Sequence, residues 1–456
     1  MWDGPRGAKS RGKAMNAPGK LEKGLAIVLL LLSTGAFLNL FLKHGKFRFE
    51  ANAGLPFMQV IWAGLYLFVL FFLIKEARGF WRLLLRGWPF LLLLAICLLS
   101  ISWSDAKGLT ARRSVALLAT TVTGVYLAIR YSFKEQLKLL VTLAKISIVL
   151  SLIFGAFHLG TSVDSLSGRM NGLFLERNSL LSIIFDVLPV EGVFNLWSQP
   201  WYGIFTQRNG LGMMMALSTV VLLLWGHLEP EEKWRAYPWA GLSFLLLFLS
   251  GSLTGLLSLG AVLVAAWLLR YVQRNPARVR RILVASVGVT AIALYFVAYN
   301  FSTVAAFFDR DVTLTGRTTI WGASLILGMD HPWIGHGFNA FWLGDEGPSG
   351  EVRKLAGWDV PSAHNGYLEI WLDLGICGLA AFFLGFARHF RKAVQCFVRE
   401  GLWEAAWPLL FLIFLFFVNL AQSALLSPNY VLWILYVAIS CRVCLVTARP
   451  SEEGAR

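Results

Sequence analysis

A single histidine, His364, stands where a long polar loop runs into an apolar segment near the C-terminal end of the chain. It is followed directly by Asn365, then after nine residues by Gly375 and after two more by Gly378. An unperturbed imidazole has a pKa of about 6.5, so it is largely neutral at pH 7 and can accept a proton. The dipole at the start of a helix would further disfavour the charged form. The position predicts a general base, and the alternative is an interfacial histidine that satisfies a local hydrogen bond.

Four arginines stand at the ends of apolar segments on what is expected to be the same side of a membrane. Arg317 follows Thr315-Gly316, Arg208 lies within Gln207-Arg208-Asn209-Gly210, and the pair Arg112 and Arg113 precedes another apolar segment. A guanidinium keeps its charge and offers a planar fork of donors, which suits phosphate oxygens. We therefore predict that these arginines bind a lipid-linked pyrophosphate at the membrane surface. The alternative is that they face lipid headgroups.

Other side chains near His364 are predicted to support it. Glu369 and Asp373 are one helical turn apart and share a face, so they either orient His364 or an arginine or line a wet crevice. Trp321 lies in a stretch from Thr318 to Met329 whose apolar spacing is typical of a helix lying in the membrane interface. The chain has no glycine-rich nucleotide loop and no paired-carboxylate metal motif. Neither a cofactor nor a metal is predicted.

The elements that must position these residues are membrane-spanning helices. With 57% hydrophobic and 15% charged residues, the composition excludes a soluble domain. Apolar runs long enough to cross a hydrocarbon core of roughly 30 Å recur along the chain. No water is present in that core, so a segment that crosses it alone must be a helix, in which its backbone N–H and carbonyl groups bond to one another. We predict an all-α, polytopic membrane protein of about twelve spans, at 24–42, 55–74, 87–103, 114–129, 137–160, 209–226, 236–250, 253–271, 282–300, 367–386, 404–422 and 428–447.

The distribution of basic residues predicts the orientation. Lys and Arg are roughly twice as frequent in the segments that would face the cytoplasm when both termini lie inside, which is the positive-inside pattern. The predicted organisation is a basic tail over 1–23, a transmembrane domain over 24–447 and a short tail over 448–456. Long outer loops are expected at 161–208 and 301–366. The net charge of +15 indicates topology and attraction to anionic lipid, not nucleic-acid binding.

With these residues in place, the chain resembles the bacterial O-antigen ligases within the wider family of O-antigen ligases and polymerases. The resemblance rests on the His-Asn, nine residues, Gly-x-x-Gly spacing and on Thr315-Gly316-Arg317 with Trp321 and Pro332. Gly335-His336-Gly337, the segment around Arg208 and Ser250-Gly251-Ser252-Leu253-Thr254-Gly255 agree as well. The twelve-helix layout covers the whole chain, whereas only these segments carry recognisable identity.

The resemblance implies a membrane-embedded glycosyltransferase of the C class with a large periplasmic loop that carries surface helices. Such an enzyme would move O-antigen polysaccharide from undecaprenyl pyrophosphate to a sugar hydroxyl of lipid A–core at the periplasmic face of the bacterial inner membrane. His364 would be the base, Arg317 and Arg208 would stabilise the departing pyrophosphate, and Arg112, Arg113 and Asn365 would contribute to substrate binding.

Three other readings of the sequence stay open. An O-antigen polymerase would use the same donor with a second lipid-linked glycan as acceptor. A protein O-oligosaccharyltransferase is another relative, although the short stretch after residue 447 argues against its usual C-terminal extension. A transporter or flippase would also have about twelve spans, but its polar site is expected near the midplane of the bilayer.

Overall fold

The computed structural model describes residues 18–36, 56–157, 200–274, 317–345 and 347–448. Within these ranges the chain forms helices joined by turns and irregular segments, with no β-strand. The helices are α1 (Lys20–Ser33), α2 (Pro56–Lys75), α3 (Ala77–Arg86), α4 (Trp88–Leu99), α5 (Lys107–Arg130), α6 (Phe133–Phe157), α7 (Arg208–Leu228), α8 (Lys233–Leu249), α9 (Leu253–Arg274), α10 (Arg317–Gly328), α11 (Gly347–Ala356), α12 (Gly366–Glu400), α13 (Trp407–Asn419) and α14 (Val431–Val446).

Several of these helices are suited to crossing a membrane, which confirms a multi-pass membrane protein. Four described stretches are long and apolar enough to span a bilayer, or five when the bent pair Met58–Ile74 and Gly79–Arg86 is taken as one span. The four are Phe133–Gly155, Arg208–Leu228, Leu253–Arg274 and Gly366–Glu400. Shorter apolar helices occur at Trp88–Ser102, Trp403–Asn419 and Val431–Val446.

Some of the predicted spans coincide with these helices, and others lie outside the described residues. Those at 137–160, 209–226, 253–271 and 367–386 coincide with helices of spanning length. The break between 236–250 and 253–271 is confirmed, because Gly251 adopts a left-handed φ of 59° between α8 and α9. The predicted span at 282–300, the greater part of the loop at 161–208 and residues 301–316 and 346 of the loop at 301–366 lie outside the described residues. A total of twelve spans stays a prediction.

Several boundaries differ from the sequence prediction. The span predicted at 114–129 begins at Lys107, so Arg112 and Arg113 lie within α5 and not before it. The helix predicted to end at residue 386 continues to Glu400, so the expected inner loop is largely helical. At the other end of the chain, α1 begins at Lys20, inside the expected basic tail. Glu22 in its first turn is buried and forms two hydrogen bonds of 2.8 Å with the Arg130 guanidinium. This ion pair joins the first turn of α1 to the last residue of α5.

The long helix α12 is interrupted at Gly375. Its φ of 64° and ψ of −166° lie in a region that is open almost only to glycine. A Cβ at this position would lie 2.1 Å from the carbonyl carbon of Trp333. The loop 332–337, which follows α10, thus packs directly on the backbone of α12. Four backbone hydrogen bonds join this loop to the interrupted helix: His336 N to Leu372 O, Gly337 N to Asp373 O, Ile376 N to Pro332 O and Cys377 N to Trp333 O.

Two hydrophobic clusters hold the described helices together. The larger cluster includes the contact of α5 with α14, where Gly124 leaves so little room that a Cβ would lie 2.5 Å from Cβ of Val437. The smaller cluster packs α10, α11 and the loop before α12 against the first half of α12. Its fully buried members are Ile320, Phe341, Val352, Val360, Ala363 and Leu372. This second core fixes the segment that carries His364.

Candidate functional site

The backbone of Ala363, the residue before His364, is hydrogen-bonded through both its N–H and its carbonyl. The Ala363 N–H donates to Oε1 of Glu369 over 2.5 Å, and the Ala363 carbonyl accepts from Nε1 of Trp321 over 2.8 Å. Ala363 itself is fully buried in the smaller hydrophobic cluster. A residue whose backbone N–H and carbonyl are both hydrogen-bonded and whose side chain is packed has little freedom to rotate. Glu369 and Trp321, predicted as supporting residues, therefore contact the residue next to His364 and fix its position.

His364 and Asn365 form the junction with α12. His364 has a φ of 50°, a left-handed conformation that is uncommon outside glycine and that often marks functional sites. Its N–H lies 3.4 Å from Oγ of Ser362. Asn365 is the N-cap of α12, and its Oδ1 accepts from the N–H groups of Tyr367 and Leu368. The side-chain oxygen of Asn365, predicted to bind substrate, is thus engaged in capping the helix.

The electrostatic environment of His364 favours the neutral imidazole. Burial and, to a smaller extent, the Arg317 guanidinium lower the pKa of His364 to about 4. The ring lies over Trp358 with 6.4 Å between ring centroids and 23° between their planes. Arg317 is the first residue of α10, where the helix dipole adds positive potential. Burial and the charge of Arg317 thus both disfavour the imidazolium form of His364.

A cavity of about 150 Å³ with several charged lining residues opens next to this junction. It lies between the start of α5, the first turns of α12, the loop 338–344 and the segment 423–430 that precedes α14. His364 and Arg317 are not among its lining residues, although Ser362, two positions before His364, is. Its charged lining residues are Arg112, Arg113, Arg353, Glu369 and Asp373.

The charged groups of the cavity are anchored by different partners. Besides Ala363, Glu369 accepts from Nε1 of Trp342 over 2.8 Å and from Oγ of Ser423 over 3.0 Å. Arg113 donates to the Asn339 carbonyl over 2.7 Å, which ties α5 to the loop 338–344. Arg112 is exposed. The two arginines thus share a cavity with Glu369 and not with His364.

Arg208 stands apart from this cavity, which it does not line. It begins α7, whose first turn packs against the segment between α8 and α9. Oγ of Ser252 donates to Oδ1 of Asn209 over 3.1 Å, and a Cβ at Gly212 would lie 2.2 Å from Cβ of Ser252. The motifs around Arg208 and around Ser250 are therefore two halves of one close helix contact.

A second histidine motif, Gly335-His336-Gly337, for which no role was predicted, lies close to the interruption of α12. His336 is buried, and its Nδ1 lies 2.8 Å from Oδ2 of Asp105 in the α4–α5 connection. Both flanking glycines have positive φ, and a Cβ at Gly337 would lie 2.5 Å from Ser104. The motif joins this connection to the interrupted helix, and the two glycines around the histidine are the sequence signal of that close approach.

Comparison with known proteins gives two matches. Residues 238–383 match the family described as O-antigen ligase. This range contains Arg317, Trp321, His364, Glu369 and Gly375 but not Arg112, Arg113 or Arg208.

The second match is the exopolysaccharide production protein ExoQ of Rhizobium meliloti, which is 26% identical over 307 residues. The match covers 64% of this chain and 61% of that relative. Together these findings confirm the resemblance of the chain to the O-antigen ligase and polymerase family.

Proposed function

We propose that the protein is an O-antigen ligase, a membrane-embedded glycosyltransferase of the C class. It transfers O-antigen polysaccharide from undecaprenyl pyrophosphate to a sugar hydroxyl of lipid A–core at the periplasmic face of the inner membrane. The observation that carries the proposal is the junction at His364, where a neutral imidazole lies beside the Arg317 guanidinium at the start of two helices.

In the proposed reaction, His364 takes the proton of the acceptor hydroxyl. The hydroxyl oxygen attacks the anomeric carbon of the donor sugar, and the bond from that carbon to the pyrophosphate oxygen breaks. Undecaprenyl pyrophosphate leaves with the bonding electrons, and a direct attack inverts the configuration at the anomeric carbon. General base catalysis of this kind contributes typically about 10²–10⁴-fold.

Arg317 stabilises the charge that develops on the leaving pyrophosphate, together with the positive end of the α10 dipole. Arg208 provides a second guanidinium from the start of α7. The donor already carries an activated leaving group, so the proposed reaction requires neither a nucleotide nor a metal ion.

The surface of α10 supports action at a membrane. Ile320 and Ala323 face the smaller hydrophobic cluster, whereas Leu325 and Ile326 of the same helix are 47% and 74% exposed. Trp333, in the loop that follows, is 65% exposed. An exposed apolar face beside a cationic helix start fits a helix that lies in the lipid interface and meets a lipid-linked pyrophosphate there.

A polymerase is the second candidate, because the relative ExoQ bears the name of an exopolysaccharide production protein. A polymerase would join two lipid-linked glycans by the same step at His364.

The two functions differ in the acceptor, so one reaction separates them. The purified protein is mixed with lipid-linked O-antigen and lipid A–core, without nucleotide or added metal. Transfer to lipid A–core is the result expected for a ligase, and elongation of the lipid-linked glycan in the absence of lipid A–core would indicate a polymerase. No new glycosidic bond under either condition would contradict the proposed function.

A further inference from the structure

The cavity beside the His364 junction is not explained by the proposed roles of His364 and Arg317, because neither residue lines it. Its volume of about 150 Å³ is small compared with the roughly 300–1,000 Å³ of pockets for drug-sized ligands. The cavity therefore matches one small group, of the size of a single sugar ring, and not an oligosaccharide.

One carboxyl that lines this cavity has an oxygen without a partner. Asp373 is 93% buried, since only 7% of its surface is exposed, and its Oδ1 has no hydrogen-bond partner within the described part of the chain. The carboxyl lies against the backbone amides of Asn339 and Phe341 and near the Arg113 guanidinium. A buried polar atom without a partner costs free energy. A ligand that donates a hydrogen bond to Asp373 would recover that cost.

The carboxyl groups of Glu369 and Asp373 indicate which kind of ligand the cavity binds. Glu369 and Asp373 share one face of α12, and both line the cavity. A fully ionised phosphate has no proton to donate, so it would leave Oδ1 of Asp373 without a partner. A hydroxyl, by contrast, can donate to a carboxylate and accept from a guanidinium at the same time. Both kinds of partner are present, because Arg113 lines the same cavity.

We propose that this cavity is a subsite for one uncharged pyranose ring, whose hydroxyls donate to Asp373 and Glu369 and accept from Arg113. The proposal rests on the proposed function, because it assigns the ring to one of the two glycans that meet at His364. Glu369 links the two places: it lines the subsite and also holds the Ala363 peptide next to His364. A ring bound in the subsite is thereby aligned with the base.

A cysteine reporter in the cavity tests the subsite directly. Ser427 lines the cavity and does not bond to either carboxylate, so Ser427→Cys reports on occupancy. The background carries Cys377→Ser, because Cys377 is exposed whereas the other four cysteines are buried. The rate of labelling by a small neutral thiol reagent is measured with a panel of methyl pyranosides, with inorganic pyrophosphate and with sorbitol as the open-chain control.

At least one pyranoside is expected to slow labelling severalfold, while pyrophosphate and sorbitol leave the rate unchanged. Asp373→Asn keeps the shape of the side chain but replaces one of its two acceptor oxygens by a donor, so the same protection should need at least about tenfold more pyranoside. Asp330→Asn is the matched control, because Asp330 is exposed and outside the cavity, and it should behave like the parent.

Protection by pyrophosphate without protection by any pyranoside would overturn the proposal in favour of an anion site. An unchanged labelling rate with every probe would overturn it as well. Both outcomes are measured on the Ser427→Cys protein alone, so the test does not depend on whether Asp373→Asn folds. Labelling requires no turnover. Pyranoside protection in a preparation that transfers no glycan would therefore contradict the proposed function and leave the subsite standing.

Transfer kinetics then assign the ring to one of the two glycans. Asp373→Asn raises the KM for the lipid-linked donor if the ring belongs to the donor. It raises the KM for the acceptor if the ring belongs to the acceptor.

Discussion

At the scale of single residues, the charge state of His364 is the property on which the proposed reaction depends. Its lowered pKa of about 4 arises first from burial and second from Arg317. Because the folded protein disfavours the imidazolium, the ring stays neutral as the pH falls and is protonated only near pH 4. A bound pyrophosphate would offset the charge of Arg317 and raise the pKa of His364 towards the range in which a base is most effective.

This reasoning predicts a separation between two pH profiles. The acid limb of kcat/KM reports the free enzyme and should lie near pH 4, whereas the acid limb of kcat reports the substrate complex and should lie at higher pH. Initial rates of glycan transfer between pH 3.5 and 8 measure both. An acid limb of kcat below that of kcat/KM would mean that Arg317 does not contact the pyrophosphate.

Arg317 itself provides a second prediction at this scale. Arg317→Lys keeps the charge but loses the planar fork, so transfer should fall by about 10–100-fold if two parallel hydrogen bonds hold the pyrophosphate. Arg235→Lys is a control for the general effect of the exchange, because Arg235 is exposed in the first turn of α8 and does not line the cavity. Full activity of Arg317→Lys would reduce the role of Arg317 to general positive potential.

At the scale of elements, the site depends on how α10 and α12 hold the peptide between them. Trp321→Phe removes the donor to the Ala363 carbonyl while keeping an aromatic ring in the smaller cluster. The loss of one hydrogen bond, about 1 kcal/mol, should lower kcat several-fold without changing the KM for the donor. Trp333→Phe, on an exposed tryptophan, is the control. A rise in KM with unchanged kcat would show that Trp321 binds substrate instead.

The interruption of α12 gives a stability prediction at the same scale. Gly375→Ala places a Cβ 2.1 Å from the Trp333 backbone and forces alanine into a conformation that it rarely adopts, so we expect a loss of about 4 kcal/mol or more. Gly241→Ala meets no atom within 4 Å inside α8 and should leave the Tm of the detergent-solubilised protein unchanged or slightly higher. Equal Tm values for the two variants would contradict the close contact at Gly375.

How far these elements follow from the sequence can be judged residue by residue. Apolar spacing predicts α10 correctly, and Gly251 predicts the turn between α8 and α9. The cavity was not predictable, because Ser423 and Tyr430 reach it from a segment that follows α13 and carries no motif. Asn365 illustrates the same limit: the residue type suits both substrate binding and helix capping, and only the hydrogen bonds to Tyr367 and Leu368 identify the cap.

At the scale of the whole molecule, α12 connects the site to the opposite end of the helix bundle. It runs from Gly366 beside the cavity to Glu400, and it is one of the helices long enough to span a bilayer. We predict that the segment before Gly366 faces the periplasm and that the segment after Glu400 faces the cytoplasm.

Two cysteines test this orientation in a Cys377→Ser background. Lys354→Cys on α11 and Leu402→Cys beyond α12 replace side chains that are 73% and 61% exposed. In intact spheroplasts, a thiol reagent that cannot cross the inner membrane should label the first and not the second. Labelling of the second alone would invert the topology and move the proposed site away from the periplasm.

The central claim is that His364 is the base of glycan transfer, and the most direct measurement compares His364→Ala with the parent. The side chain lies at a junction between a loop and a helix, and its backbone conformation is held by the neighbouring Ala363 and Asn365. His364→Ala should therefore fold, insert and bind undecaprenyl pyrophosphate like the parent. Transfer of O-antigen from the lipid-linked donor to lipid A–core by the purified variant should fall by at least about 10²-fold. A folded His364→Ala protein that transfers O-antigen at the parental rate would contradict the account.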